Sequence, residues 1–148
     1  MPAIQSTFTS RPTIAVVGQI ADETDRVIVT RFVEEAGGIA FGRAVCVGVA
    51  DHGVRLAAAG RVFEGVTVID RSVPALSVNT NPIHNPAPIM LKGCVAVLAE
   101  EPVVAGADAF VDAATGGFTD SAAGNIAIPG GRFETSGGTG AIVFLRIR

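Results

Sequence analysis

Asp22-Glu23-Thr24-Asp25-Arg26-Val27-Ile28-Val29-Thr30-Arg31-Phe32-Val33-Glu34-Glu35 is the one stretch of this chain that reads plausibly as a helix. Asp22 or Thr24 would be its N-cap and Gly37 its C-cap. The run Val27-Ile28-Val29-Thr30 argues for a strand instead, because four consecutive β-branched side chains lose rotamer freedom on a helix and fit a pleated surface. Read as a strand, this stretch makes the whole chain all-β.

Outward from it, short apolar runs broken by glycine continue in both directions. Strands are expected over Thr13–Ile20, Arg26–Glu34, Ile39–Val49 with a break at Gly42, Val54–Ala57 and Gly65–Asp70. Further strands are expected over Gly93–Glu100, Asp108–Asp112, Ala127–Ile128, Arg132–Thr135 and Ala141–Ile147. Gly37-Gly38 and Asp51-His52-Gly53 read as hairpin turns that set neighbouring strands antiparallel, glycine supplying positive φ. Gly137-Gly138-Thr139-Gly140 lacks the lysine of a phosphate-binding loop and precedes a terminal strand, so it too reads as a hairpin turn. Many short strands in one domain predict an antiparallel β-barrel or a jelly-roll-like sandwich over residues 13–148, with Phe41 and Phe63 in its core.

Two segments interrupt the pattern. Residues 1–12, MPAIQSTFTSRP, are polar and bracketed by proline, which suits an extended N-terminal arm, and a frayed tail and an arm that orders on a partner share this composition. Residues 71–92 hold Pro74, Pro82, Pro86 and Pro88 among Asn79, Asn81 and Asn85, a run expected to be a loop and not a central strand. Long loops in compact domains tend to be functional. Contacts to a partner are therefore expected at Ile4, Phe8 and Arg11 of the arm and at Leu76, Asn81, Ile83, His84 and Ile89 of the loop.

Composition narrows the function classes. The 148 residues carry a net charge of −3, and the eleven lysines and arginines are spread along the chain, so no nucleic-acid footprint appears. Mean hydropathy is high at +0.49, yet glycine, proline or a charge interrupts every apolar run before membrane-spanning length. The start of the chain has no secretory pattern, so synthesis in a cytoplasm is expected, with Cys46 and Cys94 as buried free thiols. Trp and Tyr are absent, which removes the usual platforms for stacking sugars or bases.

Chemistry is sparse. Asp51-His52 has no serine in a nucleophile elbow to complete a triad, and a turn accounts for it. His84 has no metal-ligand partners at suitable spacing. Glu100 and Glu101, adjacent on a strand, point to opposite faces and cannot flank one bond. No catalytic, cofactor or metal site is expected.

Several segments in order resemble the small cement proteins, or head decoration proteins, of tailed-bacteriophage capsids. They are Gly18-Gln19-Ile20-Ala21-Asp22, Ile39-Ala40-Phe41-Gly42-Arg43-Ala44-Val45, Phe63-Glu64-Gly65-Val66-Thr67-Val68, Val104-Ala105-Gly106-Ala107-Asp108-Ala109-Phe110-Val111 and Ile128-Pro129-Gly130-Gly131-Arg132-Phe133. The chain departs from that pattern at Ala40 in place of proline, at Ala107 within the Gly-Asp turn, and at Phe110 in place of tyrosine. The resemblance implies a β-barrel or jelly-roll protein that binds the outside of an expanded head as a homo-oligomer, dimer or trimer, and staples neighbouring major capsid subunits. Neither nucleic acid nor membrane would be a direct partner, and the outer surface of the virion would be its location. Two other classes share these features: another virion part such as a tail or baseplate protein, and a soluble β-barrel ligand-binding module.

Overall fold

In the computed structural model, which describes residues 15–71 and 79–148, the run Val27–Thr30 lies inside a 14-residue strand, β1 (Ile20–Val33). Then follow β2 (Ile39–Ala40), β3 (Ala44–Val47), β4 (Gly53–Leu56), β5 (Phe63–Thr67) and β6 (Thr80–Asn81). The chain closes with β7 (Pro86–Leu98), β8 (Asp108–Val111), β9 (Phe118–Thr119), β10 (Ile126–Phe133) and β11 (Ile142–Ile147). All described regular structure is β, as the sequence implies.

Strands β1, β4, β3, β5 and β7 are hydrogen-bonded in that order, and β7 pairs back onto β1 to close a five-stranded ring. The β1–β4 contact, Phe32 opposite Gly53 and Val33 opposite Val54, is parallel, whereas the other ring pairings are antiparallel. From β7 the sheet continues through β11, β10, β8 and β9. Closure onto β7 gives β1 partners on both sides at Phe32 and Val33, and the sheet ends at the two-residue β9.

Strand alternation divides the apolar residues between two clusters. Val33, Ile39, Val45, Val54, Ala87 and Ile89 pack together inside the ring. Ala44, Cys46 and Met90, from the opposite faces of β3 and β7, join Val66, Val95, Val97, Phe118, Phe133, Val143 and Leu145 in the larger cluster. Phe41 is buried, and Phe63 is half-buried against the larger cluster. Cys46 and Cys94 are buried free thiols.

The structure corrects three local expectations. Residues 86–92, expected to be loop, form the first half of the central strand β7. Pro86 opens that strand, a position proline tolerates, and Pro88 accepts from the Val68 amide at 3.1 Å just past the end of β5. The donor that Pro88 lacks therefore falls where the ladder stops. Gly37-Gly38 turns the chain without making a hairpin, since β2 pairs with β6 and not with β1. Residues 15–19 are not strand: the Gln19 amide bonds the Val16 carbonyl at 2.9 Å in a turn that precedes β1.

Candidate contact surface

At one end of the ring, Phe32 of β1 lies between Gly53 of β4 and Pro86 of β7. The Phe32 amide donates to the His52 carbonyl at 2.9 Å, and the His84 amide donates to the Val33 carbonyl at 2.8 Å. The chain's two histidines thus flank the same two residues. Both are exposed and hold left-handed backbone, with φ of 60° and 65°. Val33 points into the ring, so its neighbour Phe32 points out, 51% exposed. Val47, 48% exposed, follows on β3, and its amide bonds the carbonyl of Val62, 69% exposed, at 2.9 Å. Val49 is 85% exposed at the tip of the β3–β4 hairpin. These side chains form an apolar rim.

Glu34 fixes the rim in place. Its carboxylate accepts from the Val49 amide at 2.9 Å and the Ala50 amide at 2.8 Å, and these two bonds hold the carboxyl below its ordinary value. The carboxylate fits because Gly48 and Gly53 lack side chains: a Cβ on Gly53 would sit 2.6 Å from the Glu34 carboxyl carbon. His52, not Gly53, supplies the positive φ expected of glycine at this turn.

At the start of β1 the side chains work as a fastening. The Arg146 guanidinium of β11 bonds both Glu134 and Asp22, which are far apart in sequence. Asp22 is held low first by the Thr24 amide at 2.6 Å and then by Arg146, and Glu134 first by Arg146. The Cys94 thiol donates to Glu134 at 3.4 Å and is pushed up to about 12, first by burial and then by that carboxylate. Cys94 stays protonated, and its thiol is a poor nucleophile. Among the described residues no group of three His, Cys, Asp or Glu is placed to hold a metal ion. Among the described residues no helix is long and apolar enough to cross a membrane.

A surface of short strands with an apolar rim is suited to docking. The sequence profile described as "Structural cement protein (E217 gp24/Pam3 gp6)" matches residues 4–148. The chain belongs to the phage structural cement protein family. This cement protein superposes on a chain of "The capsid of Myoviridae Phage XM1" with a TM-score of 0.74 and 12% identity, covering 99% of this chain and 98% of that one. It also superposes on "The crystal structure of head fiber gp8.5 N base in bacteriophage phi29" with a TM-score of 0.56 and 15% identity, covering 83% and 94%. At these identities the likenesses establish a shared fold. No curated protein matches the sequence. Family membership makes the cement protein a structural component of the phage capsid.

The structure distributes the sequence-derived contact residues unevenly. Ile4, Phe8, Arg11 and Leu76 lie outside the described residues, as does the whole segment 1–12. Asn81 is fully buried in β6, its side-chain amide donating to the Ile39 carbonyl at 3.3 Å, and Ile89 is fully buried inside the ring. Neither presents its side chain to a partner. Ile83 is half-buried, and only His84 is exposed, next to the rim. Phe32, Val47 and Val49 lie in runs that read as strand, and Val62 stands beside the expected core residue Phe63, so no local signal marks these four as exposed.

Proposed function

We propose that this cement protein binds the outer face of the expanded head shell and bridges neighbouring major capsid subunits, with the Phe32–Val49 rim as one contact and the segment Met1–Pro12 as another. The observation that carries this reading is the rim itself: four exposed apolar side chains at one end of the ring, on β1, at the end of β3, at the β3–β4 turn and just before β5, with His84 beside Phe32. A shell repeats its sites many times, so a modest apolar contact is enough when a second contact acts at high effective concentration. Self-association into a dimer or trimer would raise avidity in the same way. A net charge of −3 suits an outer position better than one facing packaged DNA. The role is structural, with no catalytic step.

Co-sedimentation with closed, DNA-filled heads tests both the side and the surface. Saturable uptake of added wild-type protein is expected, and no uptake would overturn the outer position. Val49→Asp places a charge on the most exposed rim residue without touching the core, and at least a ten-fold loss of occupancy is expected. Occupancy equal to wild type would remove the rim from the contact. Removing Met1–Ser10 tests the second contact in the same assay, and light scattering of the free protein reads its oligomeric mass.

A further inference from the structure

At the other end of β3 from the rim, a cleft of about 400 Å³ opens between Ala40–Arg43, Leu98–Glu100 and Thr115–Phe118. Its walls are apolar: Leu98 is 47% exposed, and Phe41 and Phe118 lie beneath at 8% and 2%. Two polar groups in it are unspent. Arg43 uses one terminal nitrogen on the Thr115 carbonyl at 3.3 Å, but its Nε is buried with no partner among the described residues. Glu100 lies against Gly117, where a Cβ would come within 2.6 Å of its carboxyl carbon, and among the described residues no cation pairs with it. A buried donor without an acceptor is destabilising, so an occupant offering a carbonyl is favoured.

Val17 also lines this cleft, two residues after the described chain begins at Ala15. The fourteen residues before it, MPAIQSTFTSRPTI, carry one charged side chain, the cation Arg11, and one aromatic, Phe8. Their charge complements Glu100. Phe8 is nine residue steps from Val17, at most about 30 Å of extended chain. Pro12 biases Arg11 to an extended conformation that leaves peptide carbonyls free to accept. A tethered segment reaches its site at roughly millimolar effective concentration, which favours the same chain over a second copy.

We propose that this cleft seats the chain's own N-terminal segment, with Phe8 over Leu98 and Phe41, Arg11 on Glu100, and a segment carbonyl on Arg43 Nε. Phe8 and Arg11 then serve as internal anchors, which narrows the shell contact proposed for Met1–Pro12 to Met1–Thr7. Met1–Thr7 remains to reach a neighbouring subunit, and the cleft sets its direction of departure. The seat concerns the free protein and stands whether or not the rim binds a shell.

Disulfide trapping in the full chain tests the seat, with Cys46 and Cys94 left in place because both are buried. The pair Phe8→Cys and Leu98→Cys is expected to close under mild oxidation at monomer mass, at least ten times faster than the control pair Phe8→Cys and Val62→Cys. Closure at twice the mass would overturn the proposal in favour of a second copy's segment. No closure, or closure equal to the control, would overturn it outright. Adding Glu100→Lys, with far-UV circular dichroism confirming the fold, is expected to slow the trap at least ten-fold. An unchanged rate would remove the Arg11–Glu100 pair.

Discussion

Gly53 shows how one missing side chain shapes a surface. The Glu34 carboxylate occupies the space where a Cβ would stand, and from there it holds the Val49 and Ala50 amides. Gly53→Ala must displace that carboxylate or the hairpin, and a loss of about 1–3 kcal/mol is expected, as for other overpacked sites. Gly37 is the contrast, with nothing within 4 Å of a built Cβ and no positive φ. Gly37→Ala should be neutral or stabilising by about 0.4–1 kcal/mol, because it mainly restricts the unfolded chain. Urea denaturation of both variants checks the pair, and equal effects would refute the account of Gly53. The sequence marks both glycines as turn residues; the approach of Glu34, nineteen positions earlier in the chain, is what distinguishes them.

Elements are joined by charges as well as by ladders. Arg146 fastens the start of β1 to β11 and β10 through Asp22 and Glu134. Asp22, Glu34 and Glu134 are all held below their ordinary values, 3.8 for Asp22 and 4.5 for the two glutamates. The unfolded chain therefore takes up protons first as pH falls. Their stabilisation is complete above about pH 4.5 and is lost as pH drops through the lower folded values. The urea midpoint should fall between pH 5 and 3 in wild type. In Arg146→Met it should start lower at pH 7 and fall less, since Glu34 alone keeps all its partners; parallel curves would contradict the fastening. At this scale most strands are legible from β-branched runs, and β1 is the clearest case. The first half of β7 is not, because Pro86 and Pro88 read as strand breakers. Their tolerance depends on where the β5 ladder stops, a property of the partner strand.

At the scale of the whole molecule, cementing is linkage: a ligand of the assembled shell that ignores free subunits raises the shell's apparent stability. At a free concentration 100 times Kd the gain is about 2.7 kcal/mol per site. Shells saturated with this protein should therefore dissociate at a higher temperature than bare shells, and Val49→Asp at the same concentration should lose most of that shift. A full shift with the variant would place the contact elsewhere. The sequence by itself determined the all-β class, through β-branched runs and glycine turns, and the family likeness, through the order of its segments. These are local signals, written within a few residues of one another. The tertiary structure decided which residues face out. The parallel β1–β4 contact and the return of β7 to β1 close the ring, bury Ile89, leave Phe32 outside, and bring His52 and His84 to one rim. Closure is set by pairings between distant segments, and a strand's own residues do not record which of its two faces will be enclosed.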